Sequence, residues 1–310
     1  MLLGSIDVGS STIRLLAAEA GKGRIKRQIL NLREMTRLGA GLKDGGRLSA
    51  SSRQHTLKVL KEFSERLIEA GVDHVSAVAT EALRKASDSA DFVAEVKRET
   101  GLDIEILSWE EEARRTLLGI RAGMEGHDIE GWKLLIDIGG GSTELITTMD
   151  WNSRTIGSLP LGAVSLYERF ILNDPPSDIE MSELLSYCFG IIGKVEIRPG
   201  GKTPVLIGTA GTITTLAAVD LNLEEYDPAK VTGHVLARDT VDKVLSRFTG
   251  LSQENRKLIM GLEPGREDII VSGTLLLGAL MDAAGAGSLI VCDSGLREGN
   301  LLDFIGKKGI

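Results

Sequence analysis

A strand motif that occurs twice does most to limit what this chain can become. Ser5-Ile-Asp-Val-Gly-Ser-Ser-Thr-Ile-Arg-Leu15 returns as Leu135-Ile-Asp-Ile-Gly-Gly-Gly-Ser-Thr-Glu-Leu145. Each copy is an apolar strand, Asp-x-Gly, a turn of small residues and a second apolar strand, read here with one extra Gly in the second copy. Repetition of a whole strand–turn–strand unit is the mark of an internal duplication. A chain of 310 residues is also too long for one ordinary core and suits two domains.

The sequence around the first copy alternates strand and helix. Gly4–Val8, Thr12–Glu19 and Arg24–Leu32 read as strands. Ser49 to Ala70 carries Leu57, Leu60, Phe63 and Leu67 at helical spacing and stops at Gly71. Val75–Ala79 is a strand, Ser87 or Asp88 caps a helix ending at Gly101, and Ile104–Leu107 is a strand. Ser108 then opens a helix to about Gly123. The pattern restarts at Trp132–Ile138, so the first domain is placed at residues 1–124 and the second at 125–300. The segment 301–310 is expected to pack back on the first, with the hinge at Gly123–Gly131. Pro175-Pro176 and Pro199-Gly-Gly201 mark loops in the second half.

Composition narrows the class. Hydrophobic residues at 42% and charged residues at 26% allow two real cores with a solvated surface. A formal charge of −8 disfavours a non-specific nucleic-acid binder, which needs a basic face. A polyanionic substrate would therefore need a local basic pocket or a metal. Cys188 and Cys292 have no metal-ligand or disulfide-framework spacing. No signal peptide is visible at Met1–Ser5. The longest apolar stretch, Ile269–Val291, reads as a buried helix (about Asp268–Ala284) and a strand (Ser288–Cys292) and not as a membrane span. The expectation is a cytoplasmic protein. A homodimer is compatible with the sequence, which shows no coiled coil or obvious apolar patch to decide the matter.

Turns of Gly, Ser and Thr let backbone N–H groups approach a phosphate without Cβ obstruction. A carboxylate at the strand end, Asp7 or Asp137, can hold a divalent cation. One such turn is an ordinary β-turn. Two of them resemble the phosphate clamp of the actin-like ATPase superfamily. Pro204–Thr212 reads as an apolar strand ending in a third Gly-rich loop, with Gly208, Thr209, Gly211 and Thr212 as phosphate contacts and Thr212 as the cap of the following helix. Among the histidines only His234 adjoins a Gly turn, and it is read as a packing or hydrogen-bonding residue.

Ser108-Trp-Glu-Glu-Glu-Ala-Arg114 places three acids at a helix start. They offset the helix dipole in the plainest reading. Ser108 and Glu111 have capping-box spacing, which leaves Glu112 to accept a proton from a water aimed at phosphorus.

Here the resemblance narrows to the exopolyphosphatase/guanosine pentaphosphate phosphatase family. It is carried, in order, by Ile6–Ser11, Ala79-Thr-Glu-Ala-Leu-Arg84, Glu111-Glu-Ala-Arg114, Ile136–Glu144, Gly208–Thr212 and Asp293-Ser-Gly-Leu-Arg-Glu-Gly299, spread over nearly the whole chain. The resemblance implies an α/β protein of two actin-like (ribonuclease H-like) domains, each with a mixed sheet and flanking helices, and an active site in the interdomain cleft. It implies Glu112 as general base, and Asp137 and Glu144, with Asp7, as holders of Mg²⁺ or Mn²⁺. Ser10, Ser11 and Thr12, together with Gly139, Gly140, Gly141, Ser142 and Thr143, would grip phosphates. Arg84 would reach the phosphate chain, and Arg297 would orient the closing segment or an anion. The implied reaction is hydrolysis of terminal phosphoanhydride bonds in inorganic polyphosphate or guanosine pentaphosphate, with no nucleic-acid or membrane partner.

Two departures qualify this. The first turn reads Gly-Ser-Ser where the family usually has Gly-Ser-Asn, so an amide is lost at Ser11. The sequence ends at Ile310 without the further domain of longer members, which puts processivity in doubt. An ATP-dependent kinase of the same superfamily and a non-catalytic nucleotide or polyphosphate sensor stay open as alternatives. The first would need an adenosine pocket and an acceptor site, and the acidic Glu111-Glu112 element is better explained by hydrolysis; the second must explain an intact Glu112, Asp137 and Glu144.

Overall fold

The computed structural model describes residues 1–42 and 45–309; Ile310, the end of the expected tail, lies outside them. The chain is α/β and divides into two compact units, residues 1–122 with 294–310, and residues 123–293.

The first unit opens with an antiparallel meander, β1 (Leu2–Val8), β2 (Thr12–Gly21) and β3 (Arg24–Met35). β3 is mostly exposed and rich in Arg and Lys, as suits an edge strand that must not recruit another chain. Helix α1 (Ala50–Glu69) carries the chain back so that β4 (His74–Ala79) can lie parallel to β1, since a parallel neighbour needs a crossover. Ser49 caps α1 by accepting from Ser52 N–H, and Val59, Leu60, Phe63 and Leu67 form its buried stripe. Leu57, expected in that stripe, sits at its partly buried margin. Then come α2 (Glu81–Lys85), α3 (Ser89–Thr100), β5 (Ile104–Ile106), again parallel, and α4 (Trp109–Gly123). Asp88 stands at the cap position of α3, but its carboxylate accepts from Leu48 N–H and faces Arg53 instead.

The second unit repeats the plan. β6 (Lys133–Ile138), β7 (Thr143–Thr148) and β8 (Ser153–Leu159) form the meander. Helices α5 (Ala163–Phe170) and α6 (Asp178–Ile192) precede β9 (Val205–Thr209), which is parallel to β6. After α7 (Ala210–Asp220) and α8 (Pro228–Val231) come the antiparallel edge β10 (Val235–Ala237), α9 (Arg238–Thr249), α10 (Gln253–Arg256), α11 (Ile270–Ala284) and β11 (Ser288–Val291), parallel to β9. The sheet orders are β3-β2-β1-β4-β5 and β8-β7-β6-β9-β11-β10. Apart from the β10 edge they are the same sheet. α11 is buried on almost every side, which the Gly- and Ala-rich apolar run implied, and it is the centre of this unit's core. Among the described residues no helix is long and apolar enough to cross a membrane.

The chain then returns as α12 (Leu296–Lys308), whose Leu301 and Ile305 pack on Leu3, Leu16 and Ala18 of the first sheet. The returning segment begins at Ser294. Gly119 of α4 and Gly299 of α12 touch backbone to backbone. A Cβ on Gly119 would lie 1.9 Å from the Gly295 carbonyl oxygen, and one on Gly299 would lie 1.6 Å from that of Arg115.

Candidate active site

The two ladders settle how the repeats align. Asp7 faces Arg14 and Val8 faces Ile13 in the first sheet. In the second, Asp137 faces Glu144 and Ile138 faces Thr143. The turns are equal in length, and Gly9 N–H bonds the Thr12 carbonyl (3.1 Å) as Gly139 N–H bonds that of Ser142 (2.9 Å). The extra Gly assumed from the sequence is therefore wrong. It arose from matching Ser-Thr to Ser-Thr, whereas the hydrogen-bonded register matches Gly9 to Gly139 and Arg14 to Glu144.

In both turns the carbonyls are taken by the segment that follows the meander. The Ser10 carbonyl accepts from Gly39 N–H (2.8 Å), and that of Ser11 from Thr36 (3.0 Å) and Arg37 (2.8 Å). Arg37 makes this bond at φ +50°, a conformation that costs a side-chain-bearing residue energy and recurs at functional sites. The Gly139 carbonyl accepts from Ala163 N–H (3.0 Å), and that of Gly140 from Val164 (2.8 Å) and Ser165 (3.1 Å). With the carbonyls turned away, the N–H groups of Ser10, Ser11, Gly140 and Gly141 have no protein acceptor among the described residues. Successive N–H groups left open at a turn form an anion nest.

The parallel strands β1, β4 and β5 end side by side, with Val8 next to Ala79 and Ala79 next to Ile106. Loops beyond the carboxyl ends of parallel strands are where such sheets gather ligand-binding groups. β1 delivers the first turn, β4 delivers α2 with Arg84, and β5 delivers α4 with Glu112. Arg84 Nη1 donates to the Leu107 carbonyl (2.9 Å) and to Glu112 Oε2 (2.5 Å), and Glu112 is buried. Glu111 points elsewhere. Its carboxylate accepts from Arg114 (2.8 Å) and Arg115 (2.9 Å), and these bonds, the Arg114 pair foremost, hold it down at about 2. Ser108 Oγ does accept from Glu111 N–H (3.2 Å), but the Glu111 side chain does not complete a capping box.

Asp7 sits near the end of β1. Burial pushes it up to about 6, against the pull of Arg14 and Arg297 and helped by Glu298, and its Oδ1 has no hydrogen-bond partner. Arg297 is itself buried, donating to Asn31 Oδ1 (2.6 Å) and lying 3.2 Å from Glu298. Ser10 Oγ donates to Glu81 (3.4 Å), while the buried Ser11 Oγ has no partner.

In the second unit Glu144 is buried, and its Oε1 accepts from the hydroxyls of Ser142 and Ser158, both at 2.9 Å. Thr143, expected to bind phosphate, instead donates its hydroxyl to the Leu161 carbonyl (2.6 Å), because it is already in β7. The third turn also differs from expectation. Thr209 stands at the cap and α7 starts at Ala210, so Thr212 lies inside the helix, buried against Gly273 of α11. Gly208 is within β9, where a Cβ would strike Ile213 and Leu289; packing, not a ligand, requires that glycine. His234 pairs with Asp220 (2.8 Å).

Two basic residues escaped the sequence reading. Arg14 would have stood out had the repeats been aligned without a gap, as the counterpart of Glu144. Arg266 is buried with its guanidinium against Gly211 at the start of α7, where a Cβ would meet Nη2 at 1.9 Å. Its Nε bonds Glu263 (2.6 Å). Ala210, just before Gly211, has φ +69°. Only the Pro264-Gly265 turn before it hints at Arg266 in the sequence.

Among the described residues no group of three His, Cys, Asp or Glu side chains could hold a metal alone. Asp137 and Glu144, opposed across a ladder, are a fit for Mg²⁺, which takes one or two carboxylates and completes its shell with phosphate oxygens and water. Asp7, opposed by Arg14, fits a cation less well.

The Ppx/GppA phosphatase family model matches residues 17–308. The chain belongs to that family. A solved structure of the Aquifex aeolicus family member is 35% identical, with a TM-score of 0.83, covering 100% of this chain and 99% of that one. An exopolyphosphatase from Cytophaga hutchinsonii is 25% identical with a TM-score of 0.89, covering 100% and 99%. Exopolyphosphatase 1 of Mycobacterium tuberculosis is 27% identical over 97% of this chain and 88% of its own length. A guanosine-5'-triphosphate,3'-diphosphate pyrophosphatase of Aeromonas hydrophila is also 27% identical, over 98% of this chain and 60% of its own length. Membership makes the chain a phosphatase of this family.

Proposed function

We propose that the protein releases orthophosphate from the ends of inorganic polyphosphate, with Mg²⁺ or Mn²⁺ as cofactor. The observation that carries this is the pair of turns whose carbonyls are occupied and whose N–H groups at Ser10, Ser11, Gly140 and Gly141 are left for an anion. Exopolyphosphatases recur among the similar proteins and solved structures, which favours polyphosphate. Guanosine pentaphosphate is the second reading, from the Aeromonas hydrophila relative.

In the proposed reaction Glu112 takes a proton from water, the water oxygen bonds to the terminal phosphorus, and the bridging P–O bond breaks. Nests and arginines hold the phosphate oxygens and so stabilise charge that gathers there in the transition state. The ion, held by Asp137 and Glu144, would supply further neutralisation of those oxygens. Arg84 is the cation of the first unit assigned to the substrate in this reading. Phosphate release measured over long-chain polyphosphate, tripolyphosphate, guanosine pentaphosphate and ATP tests the proposal. Turnover confined to ATP with phosphoryl transfer to an acceptor would replace it with a kinase, and no turnover on any of them with a sensor.

A further inference from the structure

The strand that leads into the first turn is basic in an acidic protein. From Lys22 to Arg37 the cations Lys22, Arg24, Lys26, Arg27, Arg33 and Arg37 meet one acid, Glu34, although the whole chain carries a formal charge of −8. Most of this segment is β3, the outer strand of its sheet, and the cations within it are exposed. Lys22 lies in the tight turn before it and is exposed too. The side chains of Lys22, Arg24 and Arg27 have no hydrogen-bond or ionic partner among the described residues. Lys26 lies 3.7 Å from Glu19, a well-exposed pair that solvent screens.

Guarding an edge strand against another chain takes charge, and either sign serves. Unpaired cations gathered on one edge repel one another and draw in anions. Their placement gives this a direction. Met35 stands opposite Thr12, and Arg27 stands opposite Glu19, seven residues further along β2. Arg27 is therefore roughly 23 Å from the first turn at the rise of an extended strand. β3 ends at that turn, where the N–H groups of Thr36 and Arg37 bond the Ser11 carbonyl. A flexible polyanion gripped at Ser10 and Ser11 can lie back along β3 and reach the cations at its far end.

The chemistry of the stripe selects among polyanions. A single-stranded nucleic acid is held by aromatic faces on which its bases stack. Residues 22–37 contain no Phe, Tyr, Trp or His. Inorganic polyphosphate has no bases, carries negative charge at every phosphate, and needs only spaced cations. We propose that β3 and the turn before it hold the distal part of a long polyphosphate chain, with Lys22, Arg24, Lys26 and Arg27 as the anchor. The inference rests on the reading of polyphosphate as substrate. The anchor acts on affinity, not on the chemical step, and it favours chains long enough to reach it.

A protein carrying Lys22→Gln, Arg24→Gln, Lys26→Gln and Arg27→Gln together tests the anchor on two substrates, tripolyphosphate and a polyphosphate long enough to span the strand. KM for the long chain rises roughly tenfold or more, because each lost phosphate contact forfeits released counterions. The slope of log KM against log salt flattens by roughly 2–3 for the same reason. kcat on both substrates, and KM for tripolyphosphate, which is too short to reach the anchor, change less than twofold. Lys58→Gln, Lys61→Gln, Arg66→Gln and Lys97→Gln remove the same charge from exposed positions on α1 and α3, and leave KM for the long chain within twofold. Arg24→Gln with Arg27→Gln gives an intermediate rise and decides the matter if melting curves show the fourfold variant misfolded. An unmoved KM for the long chain, an equal loss on tripolyphosphate, or the same loss in the control would overturn the anchor. Displacement of the long chain by single-stranded RNA at equal phosphate concentration would overturn it too, as the mark of a nucleic-acid surface. Hydrolysis of neither substrate would sink the proposed reaction instead. Retention on immobilised polyphosphate with metal chelated, compared across the same variants, then still decides the anchor.

Discussion

Arg14 faces Asp7 across the β1–β2 ladder. At the same place in the second sheet Glu144 faces Asp137. One hairpin thus pairs opposite charges, and its copy pairs like charges, which a bound cation would relieve. Asp137→Asn and Glu144→Gln should each raise the Mg²⁺ concentration needed for half-maximal phosphate release by about tenfold or more, as loss of a ligand implies. Asp7→Asn should change that requirement far less. A metal titration of the three variants decides it, and equal effects would refute the asymmetry.

The adjacent acids of α4 should separate cleanly. Glu112→Gln should cut kcat by roughly 10²–10⁴-fold with folding intact, the usual worth of a general base. Glu111→Gln should keep turnover and lose about 1–3 kcal/mol of stability, since its bond to the exposed Arg114 is screened by solvent but its bond to the buried Arg115 is not. Denaturant melts beside steady-state kinetics test both, and the reversed outcome would show that the base was assigned to the wrong residue.

These contrasts show where sequence reading stops. The fold class was legible because the duplicated strand–turn–strand is local and its apolar alternation is strong. Glu112 was singled out by expecting Glu111 to close a capping box with Ser108, but it is Arg114 and Arg115 that engage Glu111. What was not legible depended on register and on distant packing. A one-residue slip in aligning the turns hid Arg14. Where α7 begins, and so whether Thr212 caps it, follows from the left-handed Ala210 and from Gly273 lying beneath Thr212. Arg266 reaches Gly211 from far along the chain, and no local pattern announces that.

Asp7 offers a test by pH. Burial raises its carboxyl from 3.8 to about 6, so the folded protein holds a proton more tightly than the unfolded chain does. The resulting cost is absent below pH 3.8 and is complete above about pH 6. Asp7→Asn removes it. The variant should be more stable than the native protein at pH 7 by about 1–3 kcal/mol, with the advantage fading as pH falls from about 6 towards 4. Its activity should nonetheless fall, as when a strained polar group is kept for function. Thermal melts at several pH values check this, and a gain that did not depend on pH would point to packing instead.

The contact of Gly119 with Gly299 bears on the site through α4. Glu112 lies two turns before Gly119 on the same helix, and its hydrogen-bond partner Arg84 is on a different element, so Glu112 must sit where α4 puts it. α4 lies where it does because neither glycine has a Cβ; a methyl at Gly119 would stand 1.9 Å from the Gly295 carbonyl oxygen, well inside any real contact. No side chain can yield there, because the obstacle is backbone. Gly119→Ala must therefore push α4 and α12 apart, at a cost of about 3 kcal/mol or more, the upper range for overpacking a core. A shift of even 1 Å at Glu112 would lengthen its bond to Arg84 and misplace the base, so kcat should fall by about a hundredfold in whatever fraction stays folded. Gly306→Ala, later in α12 where a Cβ meets nothing, is the control and should be nearly neutral. Comparing the two by melting temperature and by kcat per folded molecule tests the argument. If Gly119→Ala were as stable and as active as Gly306→Ala, the helix crossing would not be what positions Glu112.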